Sequence, residues 1–198
     1  FMVLCMAVSV FPMLSLPVAA VEESTYTFGE NVLQNPEPTS SEAWELNGCS
    51  YGKCLDMGND EPYIFGAKRG GDISVRQRVT LTAADVYRAN NGELTLEASG
   101  KFYAQGSRNL TANLNIICYN SSDVAIATYN AKDSGYSVTG RTKTLKIAKS
   151  SIPAGTAYIV YEGTEHLGSG SAYYGMYDFS LIFRDRTNPT LVNGPYLH

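Results

Sequence analysis

Two histidines and a scatter of acids are what this chain offers to proton transfer, and they form no recognisable catalytic pattern. His166 stands in a stretch rich in glycine and serine, and His198 falls beyond the main domain. The sequence contains no Gly-x-Ser-x-Gly turn, no phosphate-cradling glycine loop and no His-Glu-x-x-His pair. A carboxylate pair that cleaves glycosides is defined by distance in space, which spacing in the chain does not give. No catalytic residue is assigned.

The residues suit contact better than catalysis. Tyr173 and Tyr174 are adjacent in a glycine- and serine-rich segment expected to form a loop. In an extended segment neighbouring rings point to opposite sides, so one of the two is expected at the surface. Tyr51 and Tyr63 also fall in expected loops, with Arg69, His166 and Asp60 as polar neighbours. Flat aromatic faces joined to a few fixed polar groups are what a small-ligand surface needs. The competing reading is that aromatics fill the core, and it is preferred for Phe102, Tyr161, Phe179, Phe183 and the single Trp44.

Cys49 and Cys54 enclose Ser-Tyr-Gly-Lys, and in an exported protein a local disulfide there would contribute about 2 kcal/mol. Two free thiols are the alternative; a lone Cys-x4-Cys does not supply the four ligands of a metal centre. Cys118 shares the apolar face of its strand and is expected to be a buried free thiol. Asn109-Leu-Thr and Asn120-Ser-Ser match a glycosylation pattern too short to carry weight.

These residues must be positioned by strands. Ile73, Val75, Val79 and Leu81 alternate with Arg76, Arg78 and Thr80, with Gln77 breaking the apolar face as a buried hydrogen-bonded amide or a bulge. Leu94, Leu96 and Ala98 alternate with Thr95, Glu97 and Ser99. Leu114, Ile116 and Cys118 alternate with Asn113, Asn115 and Tyr119, and Leu145 and Ile147 with Thr144 and Lys146. Tyr177, Phe179, Leu181 and Phe183 alternate with Asp178, Ser180 and Arg184. Turn signals separate these runs, among them Asn90-Asn91-Gly92 and Pro153-Ala154-Gly155. Ala83 to Ala89 suits a short helix capped by Thr82, with Asp85 in its first turn. Many short strands, each with one apolar face, require two packed sheets, so the fold class is an all-β antiparallel sandwich.

Residues 1–20 are apolar and uncharged and end in Pro-Val-Ala-Ala, which reads as a secretory signal peptide that has lost its charged start. The tail of a membrane anchor is the alternative. Residues 21–184 form the β-sandwich module. Residues 185–198 read as a linker and the opening of a further domain. Of 198 residues, 15 are Lys or Arg against 19 Asp or Glu, so no basic field exists to hold a nucleic acid. Charged residues make up only 17%, while Gly numbers 18 and Tyr 14, which fits an exported β protein.

Four segments, in order, carry a family resemblance. They are Asn31-Val-Leu-Gln-Asn-Pro with Trp44 after it, Gly92-Glu-Leu-Thr-Leu-Glu-Ala-Ser-Gly, Ile152-Pro-Ala-Gly-Thr-Ala-Tyr-Ile-Val, and Tyr177-Asp-Phe-Ser-Leu. Together, from Phe28 to Phe183, the chain resembles galactose-binding-like jelly rolls, similar to carbohydrate-binding modules of secreted bacterial proteins. The tail from Asp185 to Val192 is similar to a junction into an immunoglobulin-like domain. The resemblance implies a non-catalytic module of a secreted or cell-surface multidomain protein, with a polysaccharide or glycan and further domains of its own chain as partners. The alternative is a structural or adhesive spacer without a small ligand. On this reading Tyr173, Tyr174, Tyr63, Tyr51, Arg69 and His166 would meet the sugar. No cofactor is required. The resemblance places Asp178 where related jelly rolls supply a ligand to structural calcium, with Glu37 as the nearest match to its usual partner.

Overall fold

A computed structural model of the chain describes residues 27–53, 63–104, 110–136 and 141–187. The alternating runs all become strands. In chain order the elements are β1 (Glu45–Asn47), β2 (Ser50–Lys53), β3 (Tyr63–Thr80), α1 (Ala83–Asn90), β4 (Leu94–Ala104), β5 (Leu110–Tyr119), β6 (Ala125–Tyr136), β7 (Arg141–Ser151) and β8 (Tyr158–Asp185). Thr82 caps α1 as expected: its hydroxyl accepts the Asp85 N–H at 3.3 Å, and the Asp85 carboxylate accepts the Thr82 N–H at 3.1 Å. This capping box satisfies amides that the first helical turn leaves open.

All strand pairs are antiparallel, and β3 and β8 are long enough to serve two layers. In the first, β1 flanks β3, β3 pairs with residues 158–167 of β8, β8 pairs with β5, and β5 with β6. In the second, residues 174–185 of β8 pair with β4, β4 pairs with β7, and Asn31 bridges to Ile182 on the far side. These are called the β5 layer and the β4 layer. They pack as a two-sheet sandwich whose hydrogen-bonded path stays continuous because β3 and β8 pass from one layer to the other.

The core between the layers is aromatic. Trp44 is 7% exposed and its ring centroid lies 4.5 Å from Phe179, 5.7 Å from Phe65 and 5.9 Å from Tyr161. Phe102 and Phe183 are buried as expected. Rings of this size each contribute about 1.5–3 kcal/mol through burial. Cys118 is a buried free thiol, also as expected.

The N-terminal segment clasps this core. Asn31 donates from Nδ2 to the Phe179 carbonyl at 2.8 Å and accepts the Leu181 N–H at 3.0 Å. Gln77 is the buried, hydrogen-bonded amide: it accepts from the Gln34 N–H at 2.6 Å and donates to the Gln34 carbonyl at 2.8 Å. Asn35, at φ 48°, turns the chain, and its carbonyl accepts the Trp44 indole N–H at 3.0 Å. The Asn-x-x-x-Asn-Pro and Trp signature is therefore a structural clasp.

Three expectations are corrected. The glycine- and serine-rich stretch before Tyr177 is not a loop but the middle of β8. Gly163 belongs there for packing, since a Cβ would lie 2.8 Å from the Met176 sulfur and 3.3 Å from Val75. Tyr177 is not in the core. Asp178 adopts φ 53°, and the register moves from Ser99↔Ser180 to Lys101↔Tyr177, so Asp178 and Phe179 together face Gly100. This bulge reverses the parity before it: Met176 turns inward and Tyr177 outward, its hydroxyl 2.9 Å from Thr142 Oγ1. Cys49 carries a free thiol that donates to the Ser74 carbonyl at 3.5 Å, so the expected disulfide is not formed among the described residues; Cys54 lies outside them.

Among the described residues no helix is long and apolar enough to cross a membrane, a statement that does not bear on strands. The expected signal segment, the Asn109 glycosylation match and the tail from residue 188 lie outside the described residues.

Candidate ligand-binding face

The structure scatters the predicted ligand residues. Tyr174 is only 1% exposed, because the Asp178 bulge turns it inward, and its hydroxyl donates to the Gly71 carbonyl at 3.2 Å. It is a core residue. Its neighbour Tyr173 points the other way and is partly exposed. Tyr51 packs at the edge of the core, its centroid 6.3 Å from Phe65. Tyr63 pairs with Lys53 and Arg69 with Ser171, but their side chains lie outside the described set, as does Asp60. His166 is exposed, with Nδ1 at 2.6 Å from Asp72 Oδ1.

His166 does lie on a surface with ligand-binding chemistry: the outer face of the β5 layer. The register places its residues in rows across the strands. One end is aromatic and apolar. The Tyr158 and Tyr119 rings stack at 4.9 Å with planes 7° apart, and the Arg78 guanidinium sits 3.6 Å from the Tyr158 centroid. Tyr158 is 7% exposed, whereas Tyr119 at the end of the stack keeps part of its surface open. Burial and the adjacent Asp123, which accepts the Tyr158 hydroxyl at 2.9 Å, hold that phenol above its usual pKa. Val160 and Ile117, paired on β8 and β5, continue the apolar strip, and Ile126 on β6 is exposed.

The next row is polar and continuous across four strands. Asn130 of β6 donates to Asn115 Oδ1 at 2.6 Å, Asn115 of β5 donates to Glu162 Oε2 at 2.8 Å, and Arg76 of β3 donates to Glu162 Oε1 at 2.7 Å. Beyond it Asn113 donates to Thr164 Oγ1 at 3.2 Å, and the Asp72–His166 pair closes the face. Each side chain is fixed by its neighbour, so donors and acceptors are presented in set directions on the same face as an aromatic plate, one apolar row away. The arrangement can hydrogen-bond a polyhydroxylated ligand whose C–H face lies on the ring.

The opposite outer face, on the β4 layer, carries a shallow groove of about 350 Å³ lined by residues such as Glu97, Ser99, Lys146 and Ser180. No ring lines it.

The β4 layer also holds the predicted calcium corner. The Phe179 N–H donates to the Pro36 carbonyl at 3.0 Å, bringing Glu37 beside Asp178. The two predicted ligands thus approach one another, yet the Lys101 ammonium lies 2.7 Å from Asp178 Oδ2. Asp178 first and Glu37 as a lesser influence hold that ammonium above the ordinary lysine pKa. Among the described residues no group of three or more His, Cys, Asp or Glu side chains is placed to hold a metal ion. One of the two acids is thus already paired with a lysine.

Two antiparallel sheets, a clasping N-terminal segment and one capped helix define a β-sandwich jelly roll of the kind found in carbohydrate-binding modules. Among solved structures the chain is similar to TmCBM61 in complex with β-1,4-galactotriose, with TM-score 0.52 and 16% identity over 77% of this chain and 98% of that one. It is similar also to the enzymatically active domain of tailspike protein 4 of bacteriophage CBA120, with TM-score 0.51 and 13% identity over 77% of this chain. There the match spans only 21% of the other chain. A third likeness, to the C-terminal family 22 carbohydrate binding module of Clostridium thermocellum Xyn10B, has TM-score 0.48 and 8% identity over 80% of this chain and 96% of that one. No protein-family model matches the sequence, and no curated protein matches it.

Proposed function

We propose that the chain is a non-catalytic carbohydrate-binding module of a secreted or cell-surface multidomain protein, and that the outer face of the β5 layer is where it meets a polysaccharide. One observation carries this reading. The Arg78–Tyr158–Tyr119 stack shares this face with the Asn130–Asn115–Glu162–Arg76 hydrogen-bonded row, with the Val160–Ile117 pair between the two rings and the row. A pyranose offers an apolar C–H face and equatorial hydroxyls, and this surface offers a ring for the one and a fixed amide and carboxylate row for the other. The Glu162 carboxylate is engaged by Arg76 and Asn115, an arrangement for holding a ligand in place. His166 joins the site as a rim residue; Tyr173 and Tyr51 stand apart from it.

The test is a polysaccharide and glycan array probed with the full chain, repeated with Tyr119→Ala. Binding that falls at least about tenfold in the variant is expected, in line with removal of an aromatic platform. Binding unaffected by Tyr119→Ala would move the site elsewhere. No binding to any glycan would favour a spacer.

A further inference from the structure

We propose that the ammonium of Lys101 is the resident cation of the Asp178–Glu37 corner, and that the module takes no calcium there. Three observations support this, independently of which ligand the β5 layer takes. The ammonium is already 2.7 Å from Asp178 Oδ2, so an ion bound to that oxygen would have to displace a positive charge at contact distance. Calcium needs six to eight oxygens at 2.3–2.6 Å, and Lys101 fills the approach to one of the two acids available.

The second observation is that the backbone is arranged for the pair. Asp178 adopts φ 53°, a conformation that side-chain-bearing residues seldom take, and the bulge places it opposite Gly100, next to Lys101. The strand distortion thus serves a contact made within the protein. Third, the ammonium has further partners of the right kind. It lies 5.7 Å from the Tyr177 ring centroid, so the cation is held by an acid on β8 and a ring, with a lesser attraction from Glu37. A single lysine from β4 then supplies the positive charge that a divalent ion would bring to the closing strand. It does so without dependence on metal supply.

The experiment is thermal unfolding of the full chain, followed by Trp44 fluorescence, in EDTA and in 5 mM calcium on the order used to fill extracellular sites. For the wild type the melting temperature is expected to agree within about 1 °C between the two conditions. Lys101→Met should melt about 1–2 °C lower in EDTA, the shift expected for losing a partly exposed ion pair in a domain of this size, and Lys101→Arg should not. In Lys101→Met, calcium should recover part of the loss, because the two acids are then left without a cation. Stabilisation of the wild type by calcium would overturn the proposal, as would a Lys101→Met variant as stable as the wild type. Equilibrium dialysis of the wild type against radioactive calcium needs no variant: absence of a bound ion is expected, and one ion held at submillimolar affinity would overturn it.

Discussion

The hydroxyl of Tyr161 occupies the space that a side chain at Gly100 would need. It donates to the Ser99 carbonyl at 2.7 Å, and a Cβ built on Gly100 would lie 2.6 Å from the same oxygen. The two positions belong to different layers, β8 and β4, so this contact sets how closely the layers approach beneath the Asp178 bulge.

Gly100→Ala should therefore destabilise the protein by about 2–3 kcal/mol, from overpacking and loss of the hydrogen bond. Tyr161→Phe should cost only about 1 kcal/mol, and in the Phe background the Ala substitution should become milder. Urea unfolding of the two single variants and the double variant measures this coupling. Additive effects would show that the two residues do not compete for the space.

The polar row predicts a graded loss of binding. Glu162→Gln puts an amide N–H toward one of the donors Arg76 and Asn115, and affinity for a bound polysaccharide should fall about three- to tenfold. Because Arg76 is half exposed, the melting temperature should change by no more than about 2 °C. Tyr87→Ala, at a side chain 67% exposed on α1, should leave both unchanged. Isothermal titration with the best polysaccharide from the array decides between these outcomes.

Gln77→Leu should be more damaging than its modest change in volume suggests. The buried amide satisfies both the N–H and the carbonyl of Gln34. Removing it leaves two backbone groups without partners at the clasp, a loss of about 2–4 kcal/mol. Denaturant midpoints measure it, and faster hydrogen exchange at Gln34 should accompany the loss.

The thiols should be unreactive at neutral pH and should matter at high pH. Burial pushes the Cys118 thiol up to about 11, and burial does the same to Cys49, again to about 11. At pH 8 about one thiol in a thousand is then thiolate, so iodoacetamide should label neither residue quickly in the native state. In the unfolded chain each thiol ionises near 9.0. A folded pKa above the unfolded one gives stability that is complete below pH 9 and lost as pH rises toward 11. Mass mapping of alkylated protein and alkaline denaturation of Cys118→Ala, which should show a shallower decline, check the two statements.

Much of the fold was legible because burial imposes period two on every strand. Ile73 and Val75, Leu94 and Leu96, and Leu114, Ile116 and Cys118 all face the core as their alternation indicates. The proposed binding face was only half legible. Asn113, Asn115 and Tyr119 already stood opposite the apolar set, and so did Arg76 and Arg78. That these groups lie beside Tyr158, Glu162 and Thr164 depends on strand register, which joins residues 40 to 90 positions apart and leaves no local trace. Tyr174 was misplaced for a different reason. One aspartate in a left-handed conformation reverses the parity of the stretch just before it, so that Tyr174 and Met176 face inward, and aspartate tolerates that conformation without any neighbouring signal.

The placement of β8 has a consequence for how the chain is made. β3, β4 and β5 each need β8 as a hydrogen-bonded neighbour, yet β8 is the last strand described. While the polypeptide is being synthesised, those three strands wait with open edges until the segment ending at Asp185 has emerged. Folding is then dominated by contacts distant in sequence and should be slow. If the chain is exported, as proposed, that delay would keep this module threadable until its β8 segment has crossed.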